Sequence, residues 1–163
     1  MSKMLLPDIY AETVFDMDTD ALKKAGIKAF IFDIDNTLAT YAMPVADDKT
    51  KAWLKGLAED GFGLYIVSNN DHARVEGFAN DVQIPCFAKA LKPLGINLKK
   101  ACRNMGVKPK EAALVGDQLF TDIWGGNLMG MTTVLVKPIS EVEDGFVKFK
   151  RRFERRILKK IGK

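Results

Sequence analysis

The sequence of 163 residues predicts an α/β fold, a three-layer sandwich with a mostly parallel central sheet. Short apolar runs that break off into polar residues predict the sheet, because strands buried on both faces read in this way. Segments with helical spacing lie between these runs, which indicates alternating strands and helices. The length fits one domain with a sizeable core, and no window approaches the roughly 20 apolar residues of a membrane span.

The predicted strands follow one another along the chain. KAFIF runs into DIDNT, GLYIV into SNN, AALV into GDQ, and TTVLV into Lys137-Pro138. IPCFA, residues 84–88, is a weaker fifth candidate. In a parallel sheet the carboxyl ends of the strands line one crevice, where ligands bind in open α/β folds.

The predicted helices fill the gaps between the strands, at residues 48–60, 71–79, 94–105 and 119–129. The first carries apolar residues at helical spacing and ends at Gly61, a residue type that commonly terminates helices. Strands that alternate with helices of about ten residues are typical of βαβ units.

Polar side chains lie just beyond the predicted strands. Asp33 and Asp35 follow KAFIF, Ser68 follows GLYIV, and Asp117 follows AALV, while Lys92 lies beyond the weaker candidate. Because the carboxyl ends of parallel strands meet at one edge of the sheet, we expect these side chains to converge on one site.

Three carboxylates in one site repel one another unless a cation lies between them. Mg²⁺ suits this role, because it prefers oxygen ligands and takes one or two carboxylates directly. A Ser hydroxyl, a Lys ammonium and a helix N-terminus suit phosphate oxygens instead. Together these groups predict phosphoryl transfer, with one Asp as the nucleophile that forms an aspartyl-phosphate and a second that protonates the leaving oxygen.

The motifs DIDNT, SNN, Lys92-Pro93 and GDQLFTD, in this order, resemble those of the haloacid dehalogenase (HAD) superfamily of phosphatases. Longer stretches are similar to its YqeG-type branch (subclass IIIA), which is related to phosphatidylglycerophosphate phosphatases. These stretches are LLPDIY, GIKAFIFDIDNTL, IVSNN, RNMGV, GDQLFTDIWGGN and ERRIL. The resemblance implies a Rossmann-like HAD fold and an Mg²⁺-dependent hydrolase of phosphomonoesters.

The resemblance also implies a role for each site residue. Asp33 would be the nucleophile, and Asp35 would be the general acid and base. The residues around the phosphate would be Asn36 and Thr37, which shape the loop, Ser68, Asn69 through its backbone N–H, and Lys92. The Mg²⁺ ligands would be Asp33, the backbone carbonyl of Asp35, Asp117 and, directly or through water, Asp122.

Several of these residues have a structural alternative. The residue types of SNN cap helices well without any ligand. A carboxylate at the start of a helix, such as Asp122, is favourable without a metal. Lys92 has a solvated loop position as its alternative, and Lys89 is the competing candidate for its role.

The gaps between the motifs leave no space for a large cap domain. About nine residues separate Leu38 from the first predicted helix, and about twenty separate Asn70 from Lys92. A phosphatase without a cap has an open site, which suits a phosphate on a lipid headgroup, a protein or a nucleic acid. A lid borrowed from another subunit is the alternative.

We expect a HAD-like domain over residues 1–145 and a basic amphipathic helix over residues 146–163. The second segment holds nine Lys or Arg and one Glu, although the whole chain has a net charge of only +4. Its apolar residues recur at helical spacing, at Phe146, Phe149, Phe153, Ile157 and Ile161. This stripe has three interpretations: packing on the domain, contact with anionic lipid, or binding of RNA phosphates.

The resemblance thus implies a cytoplasmic phosphatase that acts on phosphatidylglycerophosphate, and the basic tail leads us to expect peripheral contact at the inner face of the membrane. One alternative is a phosphatase of soluble sugar phosphates or nucleotides, and another is a HAD-fold scaffold that binds RNA or the ribosome. No secretory signal is expected, because Pro7 and Asp8 interrupt the apolar start. Cys86 and Cys102 are expected as free thiols.

Overall fold

The computed structural model describes residues 3–140, 145–160 and 162, with residues 145–151 and 160 described as backbone only. In this part of the chain six parallel strands form one sheet: β1 (Ile9–Ala11), β2 (Ala29–Phe32), β3 (Gly63–Val67), β4 (Cys86–Phe87), β5 (Ala112–Gly116) and β6 (Thr132–Val136). Their order is β1-β6-β5-β2-β3-β4. The predicted α/β class is confirmed.

The helices are α1 (Thr19–Lys24), α2 (Asp48–Glu59), α3 (His72–Val82), α4 (Ile96–Asn104), α5 (Trp124–Met129) and α6 (Gly145–Lys160). Short 3₁₀ turns lie at Lys3–Leu5, Val14–Asp16 and Pro109–Glu111, and a π-helical turn at Leu119–Ile123 leads into α5. Within residues 3–140 no domain is inserted, and residues 39–47, between the loop that carries Asp33 and Asp35 and α2, form a short irregular connection. The prediction of a fold without a large cap is confirmed.

Two apolar clusters cover the two faces of the sheet and give the three layers. Phe30 and Phe32 pack with residues of α1, α2 and α3 on one face. Ile31 packs with residues of α4 on the other face. All four residues of β2 are fully buried, as expected for a strand with parallel neighbours on both sides and helices above and below.

The sequence patterns located the main strands but not every element. IPCFA does contain a strand, although β4 is only two residues long. β1 and α1 were missed, because three strand residues after Pro7 and six helical residues are too short for a periodic signal. α4 begins at Ile96 rather than at Leu94, and the Leu94 side chain is exposed.

Asp8 fixes β1 to β6 beyond the ladder of the two strands. Its Oδ2 accepts a hydrogen bond from the backbone N–H of Thr133 at 2.8 Å and lies 3.2 Å from the Thr133 hydroxyl. The Asn127 side chain extends the connection, since its Nδ2 donates to the carbonyls of Met4 and Leu6. The start of the described chain is therefore joined to both β6 and α5.

Helix α6 packs on the domain along one side. Ile157 and Leu158 contact a small apolar cluster that includes Leu119, and Glu154 is buried, while Phe153 is 45 % exposed. The contact face is thus rotated from the predicted stripe, of which the Phe146 and Phe149 side chains and Ile161 lie outside the described residues. None of the described helices has the length and apolar character to cross a membrane.

Replacing Asp8 tests the junction between β1 and β6. Asp8→Ala should lower the free energy of unfolding by about 1–2 kcal/mol, because the fully buried Thr133 N–H loses its acceptor. Urea denaturation measures the loss. Glu59→Ala, at an exposed position of α2, is the control and should change stability by no more than about 0.5 kcal/mol. Equal stability of the two variants would contradict this role of Asp8.

Candidate active site

The carboxyl ends of four strands bring the predicted polar residues together. Asp33 and Asp35 follow β2, Ser68 follows β3, Lys92 lies in the loop after β4, and Asp117 follows β5. Each of these residues is at most 7 % exposed. Polar groups are rarely buried in such number for stability alone, because each loses its hydration.

The loop that carries Asp33 and Asp35 is shaped by Asn36. Asn36 has a φ of +61°, in the left-handed region that Asn tolerates better than most residues. Its backbone N–H donates to the Ala39 carbonyl, which turns the chain back on itself. Its side-chain Oδ1 accepts from Ser140 N–H, and its carbonyl accepts from Ile139 N–H. Asn36 therefore shapes this loop and joins it to the segment after β6; its role around a phosphoryl group stays a prediction.

Three carboxylates form a compact buried cluster. Oxygen atoms of Asp33, Asp117 and Asp122 all lie within 4.8 Å of one another. The Thr37 hydroxyl donates to Asp117 Oδ1 at 3.2 Å and so orients that carboxylate. A set of carboxylate oxygens, without nitrogen or sulfur ligands in the cluster, suits a hard cation such as Mg²⁺. A contact between Thr37 and phosphate stays a prediction.

Lys92 places a buried positive charge against the carboxylate cluster. Its Nζ lies 2.6 Å from Asp122 Oδ1 and 3.3 Å from Asp33 Oδ1. Asn69 fixes the Lys92 backbone from both sides, accepting from its N–H and donating to its carbonyl. The competing candidate, Lys89, is exposed, so the geometry favours Lys92. Burial alone would lower the pKa of Lys92, but the carboxylates of Asp122 and Asp33 outweigh it and raise that pKa.

Asp122 is held from two sides and is fully buried. Besides its contact with Lys92, it accepts a hydrogen bond from Gln118 N–H at Oδ2. It also lies against Gly116, where a Cβ would come within 2.2 Å of the Asp122 carboxylate. Only glycine at this position lets the carboxylate approach the strand so closely. Because both Asp122 oxygens already accept hydrogen bonds, the arrangement favours a water-mediated role toward a metal.

Burial shifts the pKa of the candidate nucleophile. The pKa of Asp33 is raised from 3.8 to about 6, chiefly because burial removes hydration, and the charges of Asp122 and Asp35 contribute to this rise. The nearby Lys92 ammonium opposes this rise without cancelling it. In these surroundings the ionised form of Asp33 is stabilised when a cation binds next to it.

The residues of SNN serve the site and the start of α3. Ser68 Oγ accepts from Asn70 N–H at 3.2 Å, and the Ser68 side chain is buried at the strand end. The N-cap of α3 is Asp71, whose side chain accepts from Arg74 N–H. The alternative that SNN is only a helix cap is therefore disfavoured, whereas phosphate binding by Ser68 and Asn69 stays a prediction.

Two residues hold Asp35 through contacts that the sequence patterns did not predict. Asn70 Nδ2 donates to Asp35 Oδ2 at 2.8 Å. The Arg74 guanidinium donates to Asp35 Oδ1, with Nη2 at 3.0 Å and Nε at 3.2 Å. Asn70 belongs to the SNN motif, but an Arg inside a helix carries no sequence signal for such a contact.

Two cavities flank the segment after β6 and open beside the site. One has a volume of about 280 Å³ and lies between Asp117, the strand end of β6, and Arg155 and Leu158 of α6. The other has a volume of about 400 Å³ and lies beside Thr37 and Met43. Both offer space for parts of a substrate beyond its phosphoryl group.

Comparisons with known proteins identify a matching family model and similar sequences. Residues 1–140 match the family model described as mitochondrial PGP phosphatase. The "Probable phosphatase YqeG" of Bacillus subtilis (strain 168) is 40 % identical over 159 residues, which cover 97 % of this chain and 92 % of that protein. Phosphatidylglycerophosphate phosphatase 1, chloroplastic/mitochondrial, of Arabidopsis thaliana is 28 % identical over 168 residues, which cover 97 % of this chain and 48 % of that protein.

A solved structure, a HAD phosphatase from Thermococcus onnurineus, shares the fold. It superposes with a TM-score of 0.59 at 17 % sequence identity, covering 73 % of this chain and 90 % of that one. At this level of identity the likeness concerns the fold, which is the one predicted from the motif order.

The raised pKa of Asp33 predicts how stability changes with pH when no metal is bound. Between the ordinary pKa of 3.8 and about 6, the folded protein keeps a proton that the unfolded chain has lost. The stabilisation is therefore complete below about pH 4 and is lost as the pH rises through about 6. An Asn side chain does not titrate, so the stability of an Asp33→Asn variant should not fall with rising pH for this reason.

Unfolding of wild type and Asp33→Asn in metal-free buffer tests this shift. From about pH 4.5 to about pH 7.5, the variant should gain on the order of 1–3 kcal/mol of unfolding free energy relative to wild type. Asp60→Asn, at an exposed position, is the control and should follow wild type at both pH values. A constant difference between wild type and Asp33→Asn would show that the Asp33 pKa is unchanged by folding.

Proposed function

The chain belongs to the phosphatidylglycerophosphate (PGP) phosphatase family, and from this we propose that it hydrolyses phosphomonoesters with Mg²⁺ through an aspartyl-phosphate on Asp33. The family match identifies a HAD-type phosphatase, and the fold agrees with it. The Mg²⁺ dependence and the aspartyl-phosphate intermediate are our proposal. The position of Asp33 supports it best, since this buried carboxylate lies 3.3 Å from Lys92 and in one cluster with Asp117 and Asp122. A negative nucleophile needs positive charge nearby to approach a negative phosphate.

In the first step, a carboxylate oxygen of Asp33 attacks phosphorus and the bond from phosphorus to the leaving oxygen breaks. The carboxyl proton of Asp35 passes to the leaving oxygen, so the product departs as an alcohol. Lys92 offsets the charge on the phosphoryl oxygens, while the Ser68 hydroxyl and the Asn69 N–H donate to them.

In the second step, water attacks phosphorus of the aspartyl-phosphate and gives a proton to the Asp35 carboxylate. The bond between phosphorus and Asp33 breaks, inorganic phosphate leaves, and the Asp33 carboxylate is restored. Asp35 is again protonated, as it was at the start, so the cycle is balanced in atoms and charge.

The residues that would hold Mg²⁺ are Asp33, Asp117 and the backbone carbonyl of Asp35, with Asp122 acting through water. Their oxygen donors and burial fit a hard divalent cation. When bound, Mg²⁺ supplies positive charge that offsets the repulsion between the carboxylates and the incoming phosphate. The chain's own groups then keep the donors in place, through Thr37 on Asp117 and Lys92 on Asp122.

The substrate we propose is PGP, a phosphomonoester on a phospholipid headgroup. The named PGP phosphatases among the relatives support this, as does the absence of an inserted cap within residues 3–140. The cavity beside Asp117 has apolar walls and is lined by Lys137 and Arg155 as well as by the carboxylates of Asp117 and Glu154, so it has both space and cations for part of a headgroup.

We propose residues 146–163 as the membrane-facing segment of the protein, distinct from the domain of residues 1–145. Four described side chains of α6 are exposed and basic: Arg152, Arg155, Arg156 and Lys159. An anionic lipid surface attracts each such residue by about 1 kcal/mol. This favours peripheral contact with the inner face of the membrane, where the substrate headgroup lies. Sugar phosphates, nucleotides and RNA remain the alternative ligands that the tests below distinguish.

The catalytic proposal is tested by phosphate release with and without Mg²⁺. Wild type should release phosphate only with the metal, and Asp33→Asn should lower kcat at least about 10³-fold, because no other carboxylate replaces the nucleophile. Asp117→Asn should raise the Mg²⁺ concentration needed for half-maximal rate. Asp60→Asn serves as the control and should behave as wild type. Full activity of Asp33→Asn would exclude this residue as the nucleophile.

The membrane proposal is tested by removing two tail charges. Arg152→Gln/Arg156→Gln should lower the rate on PGP in anionic mixed micelles about tenfold or more, and leave the rate on p-nitrophenyl phosphate unchanged. Lys99→Gln/Lys100→Gln, two exposed positions on α4, is the charge-matched control. Faster turnover of sugar phosphates or nucleotides than of PGP would favour the soluble alternative. Salt-sensitive RNA binding without turnover of any ester would favour the scaffold.

A further inference from the structure

The guanidinium of Arg74 connects Asp35 to the turn that follows the nucleophile loop. Nε and Nη2 both donate to Asp35 Oδ1, and Nη2 also donates to the Thr40 carbonyl at 3.1 Å. Nη1 donates to the Met43 carbonyl. Four of the five N–H donors of the guanidinium are thus used: two bind Asp35, and two bind the carbonyls of the turn at residues 40–43.

Both oxygens of Asp35 are held in this arrangement. Arg74 binds Oδ1, and Asn70 Nδ2 binds Oδ2 at 2.8 Å. The side chains of Arg74 and Asp35 are only 13 % and 6 % exposed. A buried carboxyl group whose two oxygens both accept hydrogen bonds has one orientation, because rotation would break several of these bonds at once.

Arg74 is also held by contacts other than those with Asp35. Its backbone N–H is capped by Asp71 Oδ1 at 2.9 Å in the first turn of α3. Its guanidinium lies 5.6 Å from the centroid of the Phe78 ring, one turn further along the helix. A planar group held at its base and on its face orients a partner more strictly than a flexible Lys ammonium does.

We propose that Arg74 is a positioning residue for proton transfer: it holds Asp35 in the orientation that serves the leaving oxygen. Through Thr40 and Met43, it also makes this orientation depend on the turn between the nucleophile loop and α2. The inference rests on the proposed function, in which Asp35 protonates the leaving oxygen.

The position of Asp35 matters more for some leaving groups than for others. An alkyl alkoxide is a strong base and needs a proton while its bond to phosphorus breaks. A p-nitrophenolate is a weak base and departs without one. Loss of orientation at Asp35 therefore slows alkyl esters more than the aryl ester, whereas general damage to the site slows both alike.

The experiment compares kcat/KM for two alkyl phosphates, PGP in mixed micelles and glycerol 3-phosphate, with kcat/KM for p-nitrophenyl phosphate. This parameter covers the steps up to departure of the alcohol, so the shared hydrolysis of the aspartyl-phosphate does not enter. The alkyl-to-aryl ratio is also independent of the fraction of enzyme that is folded. Arg74→Gln should lower the ratio about 10–100-fold. Arg74→Lys, the milder variant, should lower it as well.

Two further variants serve as the positive and the negative control for the Arg74 variants. Asp35→Asn should lower the ratio at least as much as Arg74→Gln, and Arg103→Gln, at an exposed position of α4, should leave it unchanged. A lowered ratio in Asp35→Asn with an unchanged or higher ratio in both Arg74 variants would overturn the inference alone. An unchanged ratio in Asp35→Asn would overturn the acid and base role of Asp35, and the inference with it.

Discussion

The buried contact of Lys92 with Asp33 and Asp122 is the interaction on which the rest of the site depends. Charges without water are unfavourable unless each finds a partner, and this ammonium lies against two carboxylates at 3.3 and 2.6 Å. Three separate parts of the chain must therefore meet: the end of β2, the loop after β4 and the π-helical turn after β5. The loop that leads to Lys92 adopts an unfavourable backbone conformation, since Lys89 and Leu91 both have positive φ.

The parallel sheet makes this meeting possible. Its central strands are apolar on both faces, so the helices above and below fix each strand end in position. The polar residues then lie just where the apolar packing stops, in the crevice that such a sheet forms. Gly116 completes the arrangement, because the absence of a Cβ lets Asp122 lie directly against β5. Stability comes from the strands, and the unfavourable burial of charge is confined to their ends.

Much of this arrangement could be predicted from the sequence, because a parallel sheet turns linear motifs into neighbours. Asp33, Ser68, Lys92 and Asp117 each follow a strand signal, so their convergence follows from the topology alone. Arg74 could not be found in this way, because its contact with Asp35 depends on how α3 is oriented over the loop that carries Asp33 and Asp35. The same reason explains the difference in the tail. The sequence pattern predicts a buried stripe through Phe153, whereas in the structure the adjacent face with Glu154 and Leu158 packs on the domain. Amphipathic spacing specifies a helix more strictly than it specifies the side that is buried.

The position of β1 at the edge beside β6 has a consequence for folding during synthesis on the ribosome. In the described sheet β1 is the edge strand beside β6, and Asp8 bonds Thr133, 125 residues further along the chain. The strands made in the middle, β2, β3 and β4, are neighbours and can associate while synthesis continues. β1 cannot take its place in this sheet until β6 has been made, and such distant pairing closes slowly. The residues of the candidate active site, up to Asp122, are therefore all synthesised before β1 and β6 can pair.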